Sequence, residues 1–398
     1  MLGRYTSVRV NVIQGFGRLP SIDAVTTLDV AVVGGGVIGA ACARALALRK
    51  VQVGVFEPGP LEGAASPASA GMLAAQVEAA DDDWLTLAAA ARDYFPDLAA
   101  ELRETTGQDI GLRRDGIAAV AFESARAAEL ETLAARQRAA GLRAEWLRPT
   151  DFHRRCPGTA PNCLGALLAP DDGAVDPPAL RRALLAHAEA LGARVFDADV
   201  ERILSIEGRV TGVRTRRHQV MARHVVLAGG AWSSGIGGLP RPVPVVPVRG
   251  QLVSVQWPKG VPAAVLYHDH GYVLPRRHTA ILGSTMEHVG FDATTTTVGR
   301  EQILAGARRL LPQLDATAAR DWAGLRPVTP DGLPLVGADP EIEGFWYATG
   351  HGRNGILLSA MTGEVIADLI TAGTTNVDIS LFRPNRFAVS PKALSPRP

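Results

Sequence analysis

LDVAVVGGGVIGAACARALALRKVQVGVFE, residues 28–57, is the stretch on which the fold turns. Residues 28–33 form an apolar run of strand length, and 51–56 form a second one rich in β-branched side chains. Between them lies Gly34-Gly35-Gly36-Val37-Ile38-Gly39, followed by an alanine-rich helical segment. This is the pattern of a strand–helix–strand crossover. Gly34 permits the tight turn, Gly36 lets backbone approach a pyrophosphate, and Gly39 allows the following helix to pack closely. The helix N-terminus, with Val37 and Ile38 in its first turn, offers amide donors and a positive dipole end to phosphates. Glu57 follows Gly39 by 18 residues, near the ~20-residue spacing at which an acid accepts hydrogen bonds from a ribose. The stretch therefore predicts dinucleotide binding, with a ribose that carries no 2′-phosphate. A glycine turn that binds nothing is the alternative.

Around this unit the composition is that of a globular chain. The 398 residues are 47% apolar, enough for one large domain or two closely associated ones. The net charge of +1 gives no reason to expect nucleic acid or a membrane surface as partner. No apolar run reaches the ~18 residues of a membrane span. Cys42, Cys156 and Cys163 form an odd set without metal-ligand spacing, which fits unpaired thiols in a reducing cytoplasm. Residues 1–27 read as a flexible extension.

Downstream, residues 58–76 are dominated by Gly, Pro, Ser and Ala. They read either as a loop lying along a ligand or as a surface loop. Residues 84–104 have helical spacing, interrupted at Pro96 and preceded by Asp81, Asp82 and Asp83. A strand is expected at 116–122, then a helix at 125–140 capped by Ser124. Asp176 should cap the helix ending at Gly192. Residues 225–233 read as a buried strand ending in a glycine turn, able to return to the first sheet. From 249 onwards alternation predicts an antiparallel sheet, followed by helices at 300–311 and from about 355 to 370.

No nucleophile elbow, zinc pattern or Walker loop is present. His268 and His270 share a strand face but have no third ligand, so no metal site is expected. What remains is two arginines in glycine-rich turns, Arg326 in GLRP and Arg353 in GHGRNG. A guanidinium matches a carboxylate bidentately and keeps its charge when buried. A structural salt bridge is the competing reading for each.

Six segments together resemble the D-amino-acid oxidase family of flavoproteins, and within it the glycine oxidases that serve thiamine thiazole synthesis. They are GGGVIG, SAGML (69–73), HDHGYVLPRR (268–277), ILGSTM (281–286), WAGLRPVTPDGLPLVG (322–337) and ATGHGRNGILLSAMTGEVIADLI (348–370). The resemblance implies an α/β chain, α+β overall: a Rossmann-like FAD-binding domain with a second, mainly antiparallel β-sheet substrate domain. The expected division is 28–105, 166–245 and 321–385 for the discontinuous FAD domain and 106–165 with 246–320 for the substrate domain. Residues 386–398 would be a flexible tail.

Carried over by position, the resemblance implies that Arg326 and Tyr272 bind the substrate carboxylate. Met72 and Met286 would line the pocket, and Arg353 would lie in the flavin-side turn. FAD contacts are implied for Gly34, Gly36, Val37, Ile38, Gly39, Glu57, Ser66, Ala70, Gly71, Met72, Val200, Gly229, Gly352, Arg353, Asn354, Gly355 and Ile356. The helix expected to open at Asn354-Gly355 would aim its positive end at the flavin edge that gains charge. Two departures from the pattern bear on pocket shape: Gly352, where a bulky residue is common, and the Pro67 and Ser69 pair. Sarcosine oxidases of this family tether flavin to a cysteine where this chain has Gly324, so FAD is expected to be non-covalent.

The implied reaction is oxidation of glycine, with sarcosine and small D-amino acids as further substrates, giving glyoxylate, ammonia and, from O2, hydrogen peroxide. Implied partners are a homo-oligomeric copy, by resemblance a tetramer, and a thiazole synthase that would receive the imine. A quinone-linked D-amino-acid dehydrogenase, a sarcosine oxidase, a nicotinamide dehydrogenase and a non-catalytic FAD protein remain the alternatives.

Overall fold

The structure is a computed structural model that describes residues 27–387 apart from 80, 240, 258–262, 270 and 318–319. The expected extension up to residue 26 and tail from 388 lie outside the described residues. Residues 386 and 387 do not belong to a tail. They form a 3-10 turn, Pro384–Phe387, in which Arg386 pairs with Asp331 at 2.7 Å.

The first sheet is built outward from Thr27–Val33, which pairs in parallel with Val53–Glu57 on one side and Gln219–Leu227 on the other. Arg194–Asp197 and Phe345–Thr349 extend it in parallel, and Leu335–Ala338 adds an antiparallel edge. The continuous apolar run of the first strand follows from burial on both faces. Val30 and Val32 face one core, under the helices Val37–Leu48, Pro177–Ala190 and Ser359–Ala372, while Ala31 and Val33 face another with Phe56, Phe196 and Val213. Small residues set the helix spacing. A Cβ on Gly363 would come within 2.6 Å of Ala41 O, so the last helix crosses the first at backbone distance.

The second sheet runs Arg320–Val328, Val246–Gln256, Thr279–Gly283, Gly271–Pro275, Val265–His268, Ile117–Ala121, Gly165–Ala169, Glu145–Leu147. All of its pairs are antiparallel except that of Val265–His268 with Ile117–Ala121. Val273, Ala118 and Val120 face a core under the helix Thr297–Leu310. Tyr272, Leu274, Ile117 and Ala119 face the opposite way, toward Ala70 and Ala74.

Two boundaries differ from the sequence expectation. Gly165–Ala169 and Arg320–Val328 both hydrogen-bond into the second sheet. The chain therefore passes between layers after 169 and after 328, not at 166 and 321. Periodicity marks a strand but not the sheet that claims it. The cap of the helix Ser124–Ala139 also differs: Ser124 is its first residue, and the N-cap, Glu123, makes no side-chain cap bond. Asp81 and Asp176 do cap, accepting from Trp84 N–H at 2.8 Å and Ala179 N–H at 2.9 Å.

Candidate active site

The turn after the first strand shows what its glycines do. Gly34 has φ +100°, and a Cβ there would lie 2.9 Å from the carbonyl carbon of Ala228. Gly39 lies against the Gly34 carbonyl, so the helix closes over the turn. Gly36 would meet only Ser66 Oγ, at 3.2 Å, leaving its other side to the cavity. Ser66 Oγ accepts from Val37 N–H at 3.0 Å, which satisfies the first amide of the helix. Glu57 accepts from Gly35 N–H at 2.7 Å and pairs with Arg181 at 3.0 Å, while Arg181 also donates to Gly35 O at 2.6 Å. Two bonds leave the carboxylate with acceptor capacity for a ribose hydroxyl. Sequence reading missed Arg181, which arrives from a helix 124 residues further on.

From Glu57 and Val200 a cavity of about 1400 Å³ runs past Gly34, Gly36, Ser66 and Gly229 to Tyr272, Arg326 and Arg353. That exceeds the ~300–1,000 Å³ of a single small-ligand pocket and suits an elongated dinucleotide together with a small substrate. Every residue assigned to the site from sequence lines it except Gly39, which sits beneath the turn. His351 also lines it, is 1% exposed, and has a buried Nδ1 with no partner, while its Nε2 lies 3.0 Å from Thr362 Oγ1. A glycine cradle open to one side and an orphaned buried nitrogen fit a bound cofactor.

The loop 58–76 lies along this cavity. Gly71, at φ +85°, abuts Val175 and Pro177. Arg276 holds the carbonyls of Ala70 and Val175 at 2.7 Å each, and Ser69 Oγ accepts from Gly71 N–H at 3.1 Å. Pro67 sits in a single helical turn, Ala65–Ala68. A side chain at Gly324 would run into Ala68 Cβ at 2.6 Å, and the three cysteines do not line the cavity.

At the inner end, Arg326 donates to Thr285 O at 3.1 Å and Ser284 Oγ at 2.7 Å. Among the described residues it has no salt bridge to a carboxylate. Its side chain lies across Gly250 on the neighbouring strand, where any Cβ would overlap the guanidinium. Tyr272, 8% exposed, hydrogen-bonds with Ser284 and occupies the space a side chain at Gly283 would fill. Burial pushes its hydroxyl up to about 12, so it remains a neutral donor. Met72 and Met286 both line the cavity, Met286 being 60% exposed. Arg353 Nε stands 3.5 Å from Glu78 Oε2. Glu78 and Tyr267 line the same cavity and were not found from sequence, since an isolated acid after a small-residue loop carries no periodic signal.

One expectation fails. The last helix spans Ser359–Ala372, not from about 355. Residues 355–358 form turns, with Leu358 N–H donating to Asn354 O at 2.9 Å. The glycines at 352 and 355 lower helix propensity there, so the cavity is faced by turn backbone at Gly355 and Ile356. His268, of the proposed histidine pair, is buried with Nε2 2.9 Å from Gly306 O, and His270 lies outside the described residues. No helix among the described residues is long and apolar enough to cross a membrane.

The sequence profile of a family described as FAD dependent oxidoreductase matches residues 29–369. A bifunctional protein ThiO/ThiG of Trichormus variabilis is 37% identical over 369 residues, covering 91% of this chain and 55% of that protein. The chain thus spans about half the length of the bifunctional relatives it matches. A glycine oxidase of Geobacillus kaustophilus is 37% identical over 362 residues, covering 89% of this chain and 96% of that one. The crystal structure of glycine oxidase from the same organism superposes with a TM-score of 0.85 at 36% identity, covering 90% of this chain and 98% of that chain.

Proposed function

The chain belongs to the FAD-dependent oxidoreductase family that includes the glycine oxidases, and from that premise we propose that it oxidises glycine at the inner end of the cavity. Glycine, water and O2 give glyoxylate, ammonia and hydrogen peroxide, by way of an imine that water hydrolyses. FAD, held non-covalently, supplies the two-electron acceptor. The observation that carries the reading is Arg326, a guanidinium desolvated in the cavity with no carboxylate paired to it among the described residues, beside the buried hydroxyl of Tyr272. Such a fork awaits a small carboxylate.

In this reading Arg326 and Tyr272 fix the carboxylate, and Ser284, bonded to both, sets their separation. Their contribution is orientation of the Cα–H bond. Gly34, Gly36, Val37, Ile38 and Ser66 would hold the pyrophosphate, Glu57 a ribose, and Val200 the adenine. Ala70, Gly71, Met72, Gly229 and residues 352–356 would enclose the flavin. Met72 and Met286 restrict the pocket to small side chains, which admits sarcosine and small D-amino acids as lesser substrates. FAD contact, substrate contact and the division into FAD and substrate domains all belong to this proposal.

The fused relatives support hand-off of the imine to a thiazole synthase. A homo-oligomer rests on resemblance alone, and a cytoplasmic setting on three buried, unpaired cysteines. Anaerobic mixing of the purified protein with glycine, sarcosine and D-alanine, then admission of air, tests the reading. Bleaching of flavin absorbance by glycine with peroxide on reoxidation is expected. Bleaching without fast reoxidation would point to a dehydrogenase, and no bleaching by any of the three would reject the substrate class.

A further inference from the structure

Among the described residues two carboxylates beside Tyr267 line the cavity: Asp269, 57% exposed and paired with Arg126 at 3.2 Å, and Glu78, whose surroundings hold it in place. The Glu78 side chain is 9% exposed. The two residues before it are fixed by a buried network. Asp172 Oδ2 accepts from Gln76 N–H at 3.0 Å and Val77 N–H at 3.4 Å, and Asp172 Oδ1 pairs with Arg92 at 3.0 Å. The Gln76 side chain is held by Arg92 at 2.6 Å, by Gln137 at 3.0 Å and by Arg143 O at 3.0 Å. Asp172, Gln76 and Gln137 are all 0% exposed. A desolvated network of this kind holds its members in one arrangement, and Glu78 is carried on its end.

The carboxylate is incompletely matched where it sits. Tyr267 hydrogen-bonds to it, and its ion-pair partner Arg353 stands 3.5 Å away on a side chain 59% exposed. Burial pushes the Glu78 carboxyl up from its ordinary range, against the opposing pull of Arg353, the Tyr267 hydroxyl and Arg326. A further cation beside it would relieve that desolvation. The same cavity thus holds Arg326, a guanidinium without a carboxylate, and Glu78, a carboxylate with only a loose cation. An amino acid carries the complementary pair of charges one carbon apart.

Resting on the proposed amino-acid substrate, we propose that Glu78 receives the substrate amino group and, with Arg326 at the carboxylate, makes the pocket selective for amino acids over simple carboxylic acids. Tyr267 holds the Glu78 carboxylate in place by its hydrogen bond. The network of Gln76, Arg92, Gln137 and Asp172 positions it from behind.

The test compares ligands with and without the amine on the flavin-loaded protein. Half-saturation for glycine is read from anaerobic flavin reduction, and affinity for acetate from perturbation of the flavin spectrum. Glu78→Gln should weaken glycine at least tenfold and leave acetate within about twofold, with Glu78→Asp intermediate. Equal weakening of both ligands would mean that Glu78 serves only to hold Arg353 and the cofactor-side turn, and would overturn the proposal. So would unchanged affinity for both. A wild-type protein not reduced by glycine would instead defeat the function proposed above.

Discussion

A buried arginine without a carboxylate is costly unless a ligand completes it. For Arg326 the two protein acceptors, Ser284 Oγ and Thr285 O, are neutral and leave the charge unmatched. Arg326→Ala should therefore leave the visible flavin spectrum intact and raise KM for glycine. Truncating one partner of a desolvated charge pair costs about 2–5 kcal/mol, roughly 30-fold to several thousand-fold. Steady-state kinetics with glycine check it, and an unchanged KM would remove Arg326 from the site. Legibility at this scale was uneven. Arg326 and Tyr272 stood out because they sit in motifs with family order, whereas Glu78, Tyr267 and Arg181 were invisible. Each of the three acts through a partner far along the chain: Arg181 meets Glu57 across 124 residues, and nothing local marks that meeting.

Elements were easier to read than their allegiances. The crossover over residues 28–57 was legible because strand and helix periods follow one another with glycines between, and the structure places Thr27–Val33, Val37–Leu48 and Val53–Glu57 there. The strand Arg320–Val328 was legible as neither strand nor member of the second sheet, since its Gly324 and Pro327 look like a turn. Its partner strand holds Gly250 opposite Gly324, under the Arg326 side chain. Absence of a side chain there is what lets the guanidinium lie across that strand. Gly250→Ala should displace it, raising KM for glycine by tenfold or more while costing about 1–3 kcal/mol of stability, as overpacking does. Kinetics together with a denaturant midpoint test this. A destabilised protein with unchanged KM would show that Arg326 re-seats without loss. The late start of the last helix has a similar origin, because glycines at 352 and 355 keep the chain in turns until Ser359.

At the scale of the whole molecule, stability against acid draws on histidines that burial keeps neutral, His187, His224 and His351, the last of them fully buried in the cavity wall. Burial lowers His351 from its ordinary 6.5 to about 3, so the folded protein keeps it neutral where the unfolded chain would protonate it. Its contribution is fully present above pH 6.5 and is lost as pH falls from there toward 3. His351→Gln should flatten that part of the profile of unfolding midpoint against pH, and a variant with the wild-type slope would place the sensitivity elsewhere.

The strand that carries Arg326 also has a mechanical role. Leu325 N–H donates to Gly63 O and Pro327 O accepts from Gly352 N–H, both at 2.8 Å, and Val328 bridges His351. The residues on either side of the guanidinium are thus tied to the loop and to the turn that line the other stretch of the cavity. Anything that settles this strand settles both. Under the proposed function, the factor by which a carboxylate at Arg326 changes affinity for the dinucleotide is, by thermodynamic reciprocity, the factor by which the dinucleotide changes affinity for the carboxylate.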